Sequence, residues 1–569
     1  MMSDFYQSPP RLGNQYDDDR LLRSYIRRAL PAEMLAEVEP DLRRLGARAA
    51  GDILALGEAA EAEPPRHVAY DPWGRRVDRI DTSAAWRELD RISAEEGLVA
   101  IGYERAHGSL SRIDQFARLY LFSPSSATYS CPLAMSDGAA RCLELYGGGE
   151  RLRAAYEHLV TRDPARFWTS GQWMTERTGG SDVSGTTTIA RRDGDRVRLF
   201  GTKWFTSATT SQMAMTLARF EGAPSGSRGL SLFYLELRDD DGALRGIRVH
   251  RLKEKLGTRA LPTAELSLEG TPAWLVGEEG RGVRTIAAIL NITRIYNACA
   301  SVAGMRRAIA LARDYAERRT AFGKPLAAQP LHVETLAGMQ VELEAAFLLV
   351  FRVVELLGAS ECGEASEREL ALLRLLTPVA KLYTARQAVA VTSEALEAFG
   401  GAGYIEDTGL PRLLRDGQVL SIWEGTTNVL SLDVLRALEA GPALDALRSD
   451  IERLLSPLAR PELAAPAASI RAAAARLERY AERASAGADA DCGADREAGA
   501  RDFAFSIARV YAGALLLQHA AWDIEHDGDD RTAVAARRWC SRDLTPLTHV
   551  DARHREESSA LGLDRPRPG

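Results

Sequence analysis

The sequence predicts an α+β protein in four parts: an N-terminal helical domain, a central small antiparallel β domain, a C-terminal four-helix bundle and an extra C-terminal helical domain. Three observations predict it. Apolar residues recur at helical spacing to about Phe167, the pattern changes to strand alternation between Gly171 and Val276, and long amphipathic segments run from Val283 to about Ala440. The expected boundaries are 1–168 for the helical domain, 169–280 for a sandwich- or barrel-like β domain, 281–440 for the bundle, 441–548 for the extra domain and 549–569 for a polar tail.

Each element has its own reason. Leu21, Leu22, Tyr25 and Ile26 share one helix face, and the spacing continues through Trp86–Leu89 and Ile113–Phe122. His67–Asp78 interrupts it as a short hairpin turning at Pro72–Gly74. Arg196–Phe200, Met213–Phe220, Leu230–Glu236 and Ala264–Leu268 read as strands because Gly, Asp, Ser and Pro turns separate them. Thr293–Arg318, Leu331–Leu357 and Leu370–Phe399 have the length bundle helices need. The last domain reads as helical from Ala443 to about Ile524, with an exposed loop at Ser485–Gly499, and His549–Gly569 reads as a loose tail.

Bulk properties narrow the function. A chain of 569 residues that is 46% hydrophobic can bury a sizeable core, and a net charge of −7 argues against a nucleic-acid binder working by bulk charge. Six cysteines without a CxxC pair, and histidines without HxxxH, signal neither a disulfide framework nor a zinc site, so no metal is expected. No apolar run reads as a membrane span and the polar, Asp-rich start has no signal-peptide pattern, so a cytoplasmic protein is expected. A GxGxxG fingerprint after a strand is absent, so a dinucleotide would need a cradle other than the Rossmann one.

Four segments carry candidate chemistry. Ser421–Asn428 places Glu424 before Gly425 in a short loop, reached through the helix-breaking pair Gly400–Gly401 and a restart at Pro411. Trp173–Asp182 contains a Gly-rich bend whose amides and hydroxyls can bond a flavin edge or a pyrophosphate. In Lys203–Ser207, strand alternation pairs Phe205 with Ser207 on one face and Trp204 with Thr206 on the other, so either pair offers a ring beside a hydroxyl. Glu317–Leu326 puts a basic cluster at a helix end, a fork suited to phosphate.

In this order, the segments resemble the acyl-CoA dehydrogenase family, where comparable motifs read T-E-x-x-x-G-S-D, K-x-W-I-T, E-R-x-x-F-G and E-G-T. The resemblance covers about Ser130 to Leu435 and narrows to the AidB-like branch. Tyr70–Asp78, Thr128–Pro132, Arg251–Gly257, Leu432–Arg436 and the additional helical domain support that branch.

The resemblance implies FAD as cofactor. Met174, Thr175, Gly180 and Ser181 would meet the flavin edge and ribityl side. Phe205 would lie on the isoalloxazine with Ser207 near N5, with Trp204 and Thr206 as the alternative one residue away. Arg319, Phe322 and Gln329 would hold the phosphates and adenosine of a neighbouring subunit's FAD, implying a homotetramer, and Gly400, Gly401, Thr426 and Asn428 would line the cofactor from the bundle side. Ser181 and Arg294 would meet the substrate. Glu424 would be the base that removes the α proton of an acyl thioester as the β hydride leaves to flavin N5, with electron-transfer flavoprotein or oxygen as acceptor. One departure is Asn291-Ile292-Thr293-Arg294, where many relatives carry an acid before the arginine.

Two other functions compete: an AidB-like flavin-containing, DNA-associated protein of alkylation stress, and a flavin oxidase or monooxygenase. From Gly441 to Gly569 there are roughly 18 Arg against roughly 21 Asp plus Glu, which disfavours duplex DNA as a partner.

Overall fold

The computed structural model describes residues 7–566 apart from 195, 440, 459 and 486–489. The chain forms two compact units, one comprising residues 13–18 and 36–303, the other the remaining described residues.

The first unit joins helices to a β domain. Its hairpin pairs β1 (Arg66–Tyr70) with β2 (Arg76–Asp81), flanking the Pro72–Gly74 turn as expected. The β domain contains β3 (Ser170–Gln172), β4 (Ile189–Asp193), β5 (Arg196–Ser207), β6 (Met213–Phe220), β7 (Leu230–Glu236), β8 (Ile247–Leu252) and β9 (Thr263–Val276). Pairings run β4–β5–β9–β7–β6 and return from β6 to β4, so five strands close a barrel, with β3 added to β6 and β8 to β9. Closure removes the open edges a flat sheet would expose. The expected antiparallel sheet is corrected in one respect: β3 and β4 both run parallel to β6.

Alternation along the strands gives the barrel two apolar faces. Val197, Leu199, Ala214, Phe233, Leu235, Leu266 and Leu268 fill the interior. Met213, Met215, Leu217, Leu232 and Tyr234 point outward against Ala139, Leu143 and Leu152 of the helices Ser130–Tyr146 and Gly149–Leu159, and against Ile286 and Ile289. A strand buried on both faces reads as a continuous apolar run, which is why β6 is buried at nearly every position.

The second unit is helical. Pro330–Glu361, Glu367–Ala398 and Thr427–Glu439 pack with the Ala490–Asp527 helix of the additional domain. Tyr383 donates to Glu342, and Tyr25 of the Arg20–Ala29 helix donates to Glu355 at 2.7 Å. The helix Gly282–Arg318 begins in the first unit and ends in the second.

Three sequence expectations change. By length and composition the Gly282–Arg318 helix does reach membrane-spanning character, with 67% of its apolar window buried inside the protein as a core helix would be. The stretch read as a loop at Ser485–Gly499 is helical from Ala490 onward, while 486–489 lie outside the described residues. The tail contains a helix, Ala552–Gly562, capped by Asp551, whose carboxylate accepts from the His554 amide at 2.8 Å.

Candidate active site

In the first unit a buried ion pair joins two motif segments. Lys203 of β5 and Glu176 of the Gly-rich bend lie 2.8 Å apart, both without meaningful exposure. The carboxylate also accepts from the Thr187 amide (2.7 Å) and hydroxyl (2.6 Å), and from the Thr188 amide (3.2 Å) and hydroxyl (2.5 Å). Burial alone would raise the Glu176 carboxyl, but Lys203 and the two threonines overcome it and hold the group down at about 2. The ammonium's second bond goes to the Leu217 carbonyl of β6 at 3.0 Å. The bend itself is closed by Glu176 and Gly179, which exchange main-chain hydrogen bonds of 3.2 and 3.1 Å. Gly180 must be small: a Cβ there would fall 2.6 Å from the Thr175 hydroxyl.

These bonds bring Met174, Thr175, Gly180 and Ser181 to the strand carrying Trp204–Ser207, and the Trp204 amide donates to the Thr175 carbonyl at 3.0 Å. Met174 is buried, Thr175 half-buried, and Gly180 and Ser181 exposed.

The alternation expected for β5 fails at a bulge. Lys203 pairs with Leu266 but Thr206 pairs with Ala264, so β5 carries one residue more than β9 over this stretch. Both rings therefore meet one cation: the Lys253 ammonium sits 3.6 Å from the Trp204 ring centroid and 4.6 Å from that of Phe205. Regular strand geometry would have put them on opposite faces. Phe205 is 52% exposed. Thr206 is buried, with its hydroxyl committed to the Ala264 carbonyl at 2.8 Å, so the alternative that offered this hydroxyl to a ligand is corrected. Half-buried Ser207 shares a hydrogen bond of 3.0 Å with Thr263. Arg294 is half-buried on the Gly282–Arg318 helix.

In the second unit the motif residues occupy three local structures. After Arg319, the short strands β10 (Thr320–Ala321) and β11 (Lys324–Pro325) form a hairpin whose turn residues Phe322 and Gly323 have φ of +51° and +80°. Phe322 is 97% exposed there, an unusual position for a bulky aromatic. Gln329 braces the hairpin, donating to the Ala321 carbonyl at 3.0 Å. Gly400 and Gly401 lie in one exposed turn that ends the Glu367–Ala398 helix, and the helix Leu410–Leu420 restarts with Pro411 in its first turn.

Glu424 sits in the turn between that helix and Thr427–Glu439, half-buried, with φ of +56°, and Gly425 follows at +105°. Two successive left-handed residues reverse the chain sharply, and a Cβ at Gly425 would also lie 2.9 Å from Leu430. Thr426 and Asn428 are exposed at the start of the following helix. Buried Lys381 donates to the Gly425 carbonyl at 2.6 Å.

Sequence reasoning quoted Glu176 and Lys203 only as motif markers and missed Lys381 altogether. A signal for Lys381 did exist: a single cation within Pro378-Val379-Ala380-Lys381-Leu382-Tyr383, an otherwise apolar helical run.

The barrel of the first unit carries one half of the motif set and the helical second unit the other, and comparison with known proteins identifies the family. The chain matches the acyl-CoA dehydrogenase C-terminal domain over residues 280–439 and the middle domain over 171–271. It also matches the N-terminal domain of the adaptive response protein AidB over 7–163 and an acyl-CoA dehydrogenase 11 C-terminal domain-like family over 442–565. It is 47% identical to acyl-CoA dehydrogenase family member 11 of Caenorhabditis elegans, over 95% of this chain and 90% of that one. To the putative acyl-CoA dehydrogenase AidB of Escherichia coli it is 36% identical, over 68% and 71% of the two chains. The crystal structure of C. elegans ACDH-11 in complex with C11-CoA superposes with a TM-score of 0.96 at 44% identity, covering 99% of this chain and 97% of that one. The protein belongs to the acyl-CoA dehydrogenase family, whose members are FAD-dependent oxidoreductases.

Proposed function

We propose that the protein binds FAD and oxidises a medium-length acyl-CoA to its α,β-unsaturated product, with Glu424 as the base. The observation that carries this reading is the Glu424–Gly425 reversal, which holds a carboxylate at the tip of a tethered loop within the family's E-G-T motif. A non-glycine residue in the left-handed region costs free energy, and such strain gathers where function requires a particular geometry. The C11-CoA held by the worm relative supports the substrate class.

The residues present fit a flavin nucleotide. Phe205 is a half-exposed ring beside the Ser207 hydroxyl, Gly180 and Ser181 present open backbone, and exposed Phe322 beside Arg319 suits the adenosine and phosphates of a second copy's cofactor, hence a homotetramer. Bound FAD would supply the two-electron acceptor for the β-hydrogen. The rest falls to this chain's own groups. Glu424 takes the α proton onto its carboxylate, and its main-chain amide donates to the thioester oxygen as enolate charge develops. An acyl chain filling the site would exclude water from the half-buried carboxylate. Electron-transfer flavoprotein, or oxygen, would then reoxidise the enzyme.

The test is Glu424→Gln. The variant should remain yellow with FAD, while anaerobic bleaching by acyl-CoA slows by about 10²–10⁴-fold or more, the scale of losing a general base. Near-normal bleaching would remove Glu424 from the role.

A further inference from the structure

The Glu367–Ala398 helix holds the loop of Glu424 at one point and the helix that follows the loop at another. Lys381 reaches the Gly425 carbonyl at 2.6 Å, and Arg374 pairs with Asp433 of the Thr427–Glu439 helix at 2.7 Å. Positions 374 and 381 are two turns apart, so they share one helix face. Their environments differ. Arg374 is 41% exposed and serves as an ordinary surface clamp, whereas Lys381 is fully buried. A buried ammonium is tolerated only where its bonds repay desolvation, and an apolar side chain would satisfy packing alone.

We propose that Lys381 is a positioning residue for the base, a role resting on the reading of Glu424 above. Its hydrogen bond holds the Gly425 carbonyl, which keeps two successive residues of positive φ in a single conformation and so fixes where the Glu424 carboxylate points. The same bond polarises the peptide joining Gly425 to Thr426, making the Thr426 amide a stronger donor. The loop is thereby preorganised by a charge on the neighbouring helix.

Three variants test this: Lys381→Met, Lys381→Arg and the clamp control Arg374→Gln. In FAD-free protein, amide exchange across residues 421–430 should accelerate about tenfold or more in K381M and remain near wild type in R374Q. In FAD-loaded protein, anaerobic reduction by saturating undecanoyl-CoA should slow about 10–100-fold in K381M, the scale of a misplaced catalytic group. FAD affinity and half-saturation by the acyl-CoA should stay within about threefold, and K381R should recover part of the rate. If K381M does not fold, K381Q takes its place in the same comparison. Wild-type exchange and reduction in K381M would overturn the proposal. So would an equal slowing in R374Q at equal loss of melting temperature, since that is plain destabilisation. The base reading fails separately: if Glu424→Gln is reduced normally, Glu424 is not the base, whereas the exchange data still report on the tether.

Discussion

Two motif glutamates in this molecule are held by opposite means. Glu176 is sealed inside the first unit beneath four threonine donors and a buried lysine. Glu424 stands half-buried at a loop tip on strained backbone, with its neighbouring carbonyl tied to Lys381. The first arrangement spends its carboxylate on rigidity and makes a platform from the bend and β5. The second holds its residue through the backbone, by the tether from Lys381 to the Gly425 carbonyl. A lysine serves both, bonding a side chain in one case and a main chain in the other. Substitutions in the two regions should therefore separate stability from catalysis.

The largest expected effect on stability is Lys203→Met. It leaves an uncompensated carboxylate in the interior, which costs about 3–5 kcal/mol. The denaturant midpoint of FAD-free protein should fall accordingly, and adding Glu176→Gln to K203M should restore part of the loss, because the lone charge is gone. A loss below about 1 kcal/mol would mean that the pair is dispensable and the proposed contrast false.

Acid should expose the same difference at intermediate size. The Glu176 carboxyl is held at about 2 in the folded protein, below its ordinary range. A depressed folded value means that its contribution is complete above the unfolded value, near pH 4.5, and disappears as pH falls toward about 2. Melting temperature measured across that window should drop less steeply in Glu176→Gln than in the wild type. Equal slopes would show that Glu176 is not a principal acid-sensitive group.

How much of this was legible in the sequence follows from what each feature depends on. The strands Met213–Phe220 and Leu230–Glu236 match their expected limits, because apolar runs ended by turn residues are local signals. The sequence shows Arg196–Phe200 and the strand-like alternation of Lys203–Ser207 as separate segments, yet β5 runs unbroken through Gly201 and Thr202, pairs with β9 and delivers Lys203 to Glu176. The bulge after Lys203 was invisible, since an extra residue in one strand exists only relative to its partner. Hence Trp204 and Phe205 were assigned opposite faces when both stand against Lys253. The Glu424 loop was legible from its glycine and its motif, but the tether from Lys381 lies 44 residues away in sequence and is a tertiary fact.

The smallest effect is the sharpest discriminator. At Glu424→Gly the left-handed backbone no longer opposes a Cβ, a relief of about 1–2 kcal/mol. Glycine's greater freedom in the unfolded chain returns about 0.5–1 kcal/mol of that. The two backbone contributions leave between no change and roughly 1.5 kcal/mol in the variant's favour, against which stands the wild-type side chain's own interaction. Urea unfolding of FAD-free protein should therefore stay within about 1 kcal/mol of wild type, while acyl-CoA-dependent bleaching is lost. A position whose removal leaves the fold intact or firmer but ends the reaction is one retained for chemistry. If E424G instead loses more than about 1 kcal/mol, its carboxylate is a structural bond of the same kind as that of Glu176, and the division between platform and base does not hold.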